Sequence, residues 1–313
     1  LMTGTSMDGV DLSIIKSDGN TEFTSIFNNY YEFNDSFRDR LINIRDKIFT
    51  KNDLKKYSIE IDNLEREFTL FNGELINNCL NKNNYEIDII GFHGQTIFHD
   101  SREKISKQIG DGKLLSQIIK KIVVNNFREK DLINGGQGAP LAPIFHKLIS
   151  KYIFEKFKVS FPINIINIGG ITNLTQVNDV KINEKNLRAY DIGPGNSLID
   201  KWVRKNSSKK FDLNGNIAKI GKINDLILNQ AIDNFDYNTY EQSLDVKDFD
   251  LSFAKGLTLE DGCATITKFT AHLIARGIDN INKMNNLEPR INLICGGGRK
   301  NNFLIECIKE NLT

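Results

Sequence analysis

The sequence predicts an α/β protein in two similar halves. Apolar, strand-like runs recur along the chain, most of them end in a glycine-bearing turn, and segments with helical apolar spacing separate them. At 313 residues there is room for two domains, each with its own core. The clearest turns lie between Asn167 and Asn196. Asn164-Ile165-Ile166-Asn167-Ile168 reads as a strand running into Gly169-Gly170, where the lack of a Cβ lets backbone approach a ligand closely. Asp191 then stands at a strand end just before Gly193-Pro194-Gly195. Two polar turns after strands, one with a carboxylate, suit a phosphate grip beside a catalytic acid or base.

Bulk composition narrows the function classes. Hydrophobic residues make up 40% and charged residues 26%, the balance of an ordinary globular protein, and the formal net charge of +1 gives no support for nucleic-acid or membrane partners. Cys79, Cys263, Cys295 and Cys307 lie far apart with no C-x-x-C pair, so neither a zinc site nor a disulfide framework is indicated. That usage fits a reducing cytoplasm. No apolar run reaches the roughly eighteen residues of a membrane span, and the first residues lack a basic-then-apolar signal pattern. Leu1-Met2-Thr3-Gly4 reads as the end of a strand whose start is missing.

Residues Leu1 to Asp18 read as a hairpin with Gly4-Thr5-Ser6-Met7-Asp8-Gly9 at its tip and alternating polar and apolar residues from Val10 to Ile15. Backbone N–H groups and two hydroxyls at the tip suit a phosphate, and Asp8 and Asp11 are candidates to hold magnesium through water. An ordinary polar turn uses the same residue types. Asp35 to Lys82 reads as two helices, with Leu41, Ile44 and Ile48, then Leu64, Phe68, Phe71 and Leu75 at helical spacing. Asp62 and Glu65, about one turn apart, read as a solvated face.

Tyr85 to Phe92 reads as a buried strand entering a glycine turn that carries His93, Gln95 and Thr96. A histidine there stands where ligands bind in open α/β sheets, although a histidine bonded to backbone is an equal reading. His99 lacks the third ligand that a metal site needs. Gln108-Ile109-Gly110-Asp111-Gly112 precedes a helix from Lys113 to Lys121 and a strand at Ile122-Val123-Val124. Arg128 and Asp131 follow, beside Gly135-Gly136-Gln137-Gly138-Ala139-Pro140, part of the stretch densest in glycine and proline. The domain boundary is expected here, giving 1–134 and 135–313. The stretch reads either as a linker or as a cleft loop beside which Arg128 and Asp131 fix a polar ligand.

In the second half, Ser197 to Lys205 reads as a helix capped by Asn196, with Trp202 in the core and Asp200 spaced to pair with Arg204. Helix signals recur from Ile223 to Asn234. Leu257 to Ile278 is a long helix begun by Thr258, with Ile266, Phe269, Leu273 and Ile274 inward. Ile291 to Cys295 reads as a buried strand, followed by Gly296-Gly297-Gly298 and a helix from Phe303 to Asn311, another place for an anion or nucleotide. Neither a G-x-x-x-x-G-K-[ST] loop nor a strand-borne G-x-G-x-x-G occurs. Phosphate grip must then come from scattered turns, which points to a cleft between two domains, as in sugar kinases.

Together these segments resemble the anhydro-N-acetylmuramic acid kinases of the sugar-kinase, actin and heat-shock chaperone superfamily. The resemblance runs in order from Gly4-Thr5-Ser6-Met7-Asp8-Gly9-Val10-Asp11 through Gly91-Phe92-His93-Gly94-Gln95-Thr96, Gln108 to Asp111, Phe127 to Asp131, Gly135 to Leu141, Asn167 to Leu174 and Asp191 to Asn196, and ends at Cys295-Gly296-Gly297-Gly298. It implies a two-domain, actin-like (ribonuclease H-like) ATPase fold with ATP and Mg²⁺ in an interdomain cleft and the anhydro-sugar opposite. It also implies a double reaction, in which water opens the 1,6-anhydro bridge while O6 takes the γ-phosphoryl group, and a homodimeric, cytoplasmic enzyme of cell-wall recycling. Carried over by residue, Gly4 to Asp11, Gly169, Gly170 and Gly296 to Gly298 resemble the ATP-binding turns. Asp191 resembles the base that activates water, and His93, Gln95, Thr96, Arg128 and Asp131 resemble sugar-side residues. Family members carry a further segment beyond the position of Thr313, and Tyr240-Glu241-Gln242-Ser243 stands where many have Pro-Pro-Lys-Ser. A non-catalytic ATP-binding regulator, or another sugar kinase, is the alternative on the same fold. Asp191 and the His93 turn speak against the regulator, which has no need of a sugar-side base.

Overall fold

A computed structural model describes every residue except Thr5, 180–185, 237–239, 241–242, 286–290 and Thr313. It is a mixed α/β structure that forms two compact units, Leu1–Ala139 and Pro140–Thr313.

In the first unit, β1 (Gly9–Ser17) and β2 (Phe23–Glu32) form an antiparallel pair, and Met2 bridges Asp11 ahead of it. The alternation in β1 does what a period of two dictates: Val10, Leu12 and Ile14 are buried and the residues between them exposed. Three helices follow, where the sequence indicates two. In α1 (Asp35–Lys47) the Asn34 side chain accepts from the Phe37 amide and caps the start, while Phe37, Leu41 and Ile44 face the core. Thr50 and Asp53 then form a capping box that starts the short α2 (Lys51–Lys56) before α3 (Ser58–Asn83) begins. A local cap, invisible to apolar periodicity, thus splits the segment.

The strand expected from Tyr85 is shorter, because only β3 (Ile89–Phe92) pairs, and it is buried on one face alone: Ile90 and Phe92 point inward while Ile89 is 57% exposed. Next come β4 (Gln95–Asp100) and β5 (Ile105–Ile109), an antiparallel hairpin that the sequence does not announce. Asp111 caps α4 (Gly112–Ile119), and β6 (Ile122–Asn125) returns parallel to β3. Arg128 and Asp131 lie on a helix, α5 (Phe127–Ile133), where the sequence offers only a segment leading to a loop.

The second unit opens with α6 (Pro143–Phe157), with proline in its first turn where a missing N–H is harmless. Its sheet has the order β10-β7-β8-β9. Strands β7 (Ile163–Ile168), β8 (Ile171–Val177) and β9 (Leu187–Pro194) form an antiparallel meander, and β10 (Ile291–Cys295) pairs parallel with β7. Both faces are covered. Thr175 meets His146 of α6, whereas its neighbour Leu174 belongs to the core under α10 (Leu259–Asn285). A strand buried on both faces need not alternate, and β7, with isoleucine at four of its six positions, stands out in the sequence. Around α10 pack α7 (Asn196–Asn206), α8 (Asn216–Ile220), α9 (Asp225–Asp233) and α11 (Asn302–Leu312). Ile266, Phe269, Leu273 and Ile274 are buried as the spacing requires, and the Thr258 hydroxyl accepts from the Asp261 amide at the start of α10. Among the described residues no helix is long and apolar enough to cross a membrane.

Trp202 is 3% exposed and donates from its indole to the Leu259 carbonyl at 2.9 Å. Gly262 lies flat against that ring, and a Cβ there would overlap it. Gly262→Ala should therefore cost about 1–3 kcal/mol by overpacking. Urea unfolding followed by fluorescence of Trp202, the only tryptophan, would show it as a lower midpoint at unchanged slope; an unchanged midpoint would disprove the contact.

Candidate active site

Two constellations emerge, one in each unit. In the first, the Gly4 turn and the His93 turn are stitched together. The Thr3 hydroxyl donates to the Gly94 carbonyl at 2.8 Å, and the Gln95 amide nitrogen donates to the carbonyls of Gly4 and Thr96, both at 3.2 Å. Gln95 is 1% exposed, so its side chain is a buried strut between two turns, and its Oε1 has no partner among the described residues. In the Gly4 turn, Met7 adopts a left-handed conformation at φ 54° and is fully buried, as is Val10. Only their backbone can serve a ligand. The Ser6 hydroxyl donates to the Asp8 carboxylate at 2.7 Å, and the Tyr30 ring lies over Gly9 with its own ionisation suppressed by burial and by Asp8. Asp11 is exposed on β1. Thr5 lies outside the described residues.

Among the described residues no group of three or more His, Cys, Asp or Glu side chains is placed to hold a metal. Asp8 and Asp11 are two carboxylates on one hairpin. That donor set fits a magnesium ion that arrives on a phosphate and keeps most of its water, not an all-protein cage.

The His93 Nδ1 lies 3.0 Å from the Gly94 carbonyl, which can only accept, so Nδ1 carries the proton. Its Nε2 accepts from Arg128 Nε at 3.3 Å. Burial, and then the Arg128 charge, push the His93 pKa down to about 4. At neutral pH the positive charge of this pair therefore sits on Arg128. His93 and residues of β5, α5 and the preceding loop line a cavity of about 410 Å³, with Glu65, Lys107, Gln108 and Asn125 in its wall. Thr96 lies beside it and accepts from Gln108 at 3.1 Å.

Asp131 has a different engagement. Its carboxylate accepts from the Gly138 amide at 2.7 Å, and its carbonyl accepts from the Gly136 amide at 2.8 Å, so it ties down the glycine loop. Glu65, read as solvated, is instead half-buried, pairs with Lys107 at 2.9 Å and accepts from the Gly110 amide at 3.0 Å. Periodicity could not reveal this, because its partners lie over forty residues away.

In the second unit, β7, β9 and β10 all end at the same sheet edge, and each runs into a glycine turn. The Gly170 carbonyl accepts from the Gly195 amide and the Gly169 carbonyl from the Asn196 amide, both at 2.8 Å. A Cβ on Gly195 would collide with the Gly169 carbonyl oxygen, and one on Gly298 with the Ile168 side chain. Gly296, at φ +80°, packs its backbone on Asn167 and Ile168. Gly297 lies beside the Asn196 side chain. The expected cap is displaced by one residue: Gly195 is the N-cap of α7, without a side-chain cap bond, and Asn196 is its first residue.

Asp191 lies within β9, which continues to Pro194, and not at the strand end as the sequence suggests. The register shifts opposite it, between Thr172 and Asn173, so the extra residue re-aims the strand beside the glycine turn. Asp191 is 6% exposed, and its carboxylate accepts from the Leu244 amide at 2.9 Å, a partner that no sequence signal marks. Of the Tyr240 to Ser243 loop just before it, Glu241 and Gln242 lie outside the described residues.

Glycine turns at the carboxyl ends of several strands of one open α/β sheet, with a buried carboxylate beside them, are the arrangement of a ligand-binding α/β protein. The particular family follows from comparison. The family model for anhydro-N-acetylmuramic acid kinase matches residues 1–313, and this chain belongs to that family. It is 50% identical to the anhydro-N-acetylmuramic acid kinase of Pelagibacter ubique over all of this chain and 82% of that protein. It is 33% identical to the protein of that name from Rhodospirillum rubrum and 34% identical to that of Methylobacterium nodulans, covering all of this chain and 79% and 84% of theirs. A solved ROK family protein from Streptococcus pneumoniae, in complex with sucrose, matches over 97% of this chain and 86% of that one at 10% identity and a TM-score of 0.30, too slight a likeness to argue from.

Burial also pushes His146 down to about 4. Both histidines are neutral in the folded state, whereas in the unfolded chain each gains its proton near pH 6.5. Stability should therefore be full above pH 6.5 and fall as the pH drops towards 4, where the unfolded state takes up protons that the folded state refuses. In NMR titrations the His93 and His146 ring signals should stay at neutral positions down to about pH 5. Protonation of His93 near pH 6.5 would contradict the geometry.

Proposed function

We propose that this chain is an ATP-dependent kinase that opens 1,6-anhydro-N-acetylmuramic acid with water and phosphorylates O6, giving N-acetylmuramic acid 6-phosphate. The family match over residues 1–313 is the observation that carries the reading. The particular roles rest on residue-by-residue correspondence and on local chemistry.

Asp191 takes a proton from the attacking water, whose oxygen bonds to the anomeric carbon. The bond from that carbon to O6 breaks, and O6 takes the γ-phosphoryl group as ADP leaves. A hydrogen bond from the Leu244 amide holds this carboxylate in place. The Gly4 to Asp11 hairpin and the Gly169-Gly170 turn hold the phosphates, with Gly296 to Gly298 at the nucleotide edge. Asp8 and Asp11 would hold, through water, the Mg²⁺ that comes with ATP, and that ion would neutralise phosphate charge. His93, Thr96 and Arg128 face the sugar, while Gln95 serves it by joining the Gly4 and His93 turns and Asp131 by holding the Gly136 to Gly138 loop. Because phosphoryl transfer depends mainly on positioning and charge, donor-rich turns and one placed carboxylate suffice. The reading extends to a cytoplasmic homodimer of an actin-like, two-domain fold acting in cell-wall recycling.

ATP consumption should appear with anhydro-N-acetylmuramic acid and not with N-acetylmuramic acid or glucose. Consumption with glucose alone would favour a different sugar kinase, and none with any sugar would favour a nucleotide-binding regulator. Asp191→Asn should keep the fold and ATP binding yet lose about 10²–10⁴-fold in turnover, the usual contribution of a placed base. Wild-type turnover in that variant would remove Asp191 from the mechanism.

A further inference from the structure

Two neighbouring side chains on α3 hold a turn that the reaction scheme leaves unused. Glu65 accepts from the Gly110 amide at 3.0 Å and from Lys107 at 2.9 Å. One turn along, the Thr69 hydroxyl accepts from the Asp111 amide at 2.9 Å while donating to the Glu65 carbonyl at 2.6 Å. Consecutive backbone N–H groups of the Gly110-Asp111 turn are thus gripped by side chains four residues apart on one helix face. Thr69 is fully buried, and Asp111 goes on to cap α4.

The gripped turn is in direct contact with the His93 turn. A Cβ on Gly110, at φ +140°, would lie 3.3 Å from the Gly94 Cα and 2.8 Å from the Phe92 ring. A Cβ on Gly94, at φ +76°, would lie 2.5 Å from the Ile109 carbonyl oxygen. Two glycine backbones therefore pass with no side chain between them. The Gly94 carbonyl is in turn what fixes the His93 imidazole through Nδ1. A continuous path of contacts runs from α3 through Gly110 and Gly94 to the ring that orients Arg128.

We propose that Glu65 and Thr69 are positioning residues for the sugar side of the site, acting through the Gly110-Gly94 contact on His93 and Arg128. This rests on the reading that the His93 turn faces the sugar. The position of Glu65 in the wall of the 410 Å³ cavity, next to His93, Lys107 and Gln108, accords with that role.

Full-length Glu65→Ala, Glu65→Gln and Thr69→Val separate the possibilities. Glu65→Gln keeps an oxygen for the Gly110 amide, so it should behave nearly as wild type. Glu65→Ala and Thr69→Val should raise KM for the anhydro-sugar about three- to tenfold, the worth of one hydrogen bond, with KM for ATP unchanged. They should also speed amide exchange at Gly110 and Asp111 and move the His93 ring signals. Unchanged sugar KM with unchanged exchange would overturn the proposal, as would a parallel rise in both KM values, which marks general loosening. If the wild type shows no turnover of the anhydro-sugar, the functional reading fails. The clamp is then decided by exchange and the His93 signals, and an unmoved His93 in Glu65→Ala overturns it.

Discussion

The backbone bonds between the Gly169-Gly170 carbonyls and the first amides of α7 are the constraint on which the second unit's site depends. They lock the β7–β8 turn to the end of β9, and they work only because Gly195 brings no side chain between the two segments. The same condition repeats on the other flank, where Gly296 and Gly298 lie against the end of β7. Glycine richness here therefore records close packing of backbone on backbone, not looseness. A ligand at this edge meets a surface already fixed before it binds, which lowers the ordering cost of binding.

The first unit reaches a comparable end by different means. Its turns are held by side chains: Thr3 on Gly94, Gln95 on Gly4, and Asp131 on Gly138. Each strut is a polar side chain spent on a backbone group that would otherwise need water. These residues sit close to the candidate chemistry yet face backbone. Their bonds make Gln95 and Asp131 supports for the site.

Much of this was legible in the sequence where a local rule governs. Apolar periodicity marks α3 and α10, continuous burial marks β7, and Thr258 marks the start of α10. The glycine turns at residues 169–170, 193–195 and 296–298 stood out because close approach restricts residue choice. What escaped depends on partners distant in the chain. The β4–β5 hairpin does not alternate cleanly, since Gln95, Ile97, Phe98 and Ile109 are buried and the rest of both strands is half-buried. Glu65 looks like any helix carboxylate until β5 and the Gly110 turn fold against it. Asp191 stands out for its chemistry, but the strand end expected at it lies further on at Pro194, because the bulge that carries β9 there leaves no mark in composition.

The His93 and Arg128 pair illustrates what coordinates add to a correspondence of motifs. A histidine beside a glycine turn suggests a proton carrier, and its ordinary pKa would allow that role. Here the ring is buried, its Nδ1 proton faces a carbonyl, and its Nε2 lone pair receives a guanidinium N–H. Protonating Nε2 would turn that acceptor into a donor and set a second positive charge against Arg128. Both effects oppose the step, so the imidazole acts as a neutral acceptor that orients an arginine. The positive charge of the pair then stays on Arg128 and does not vary with pH across the neutral range.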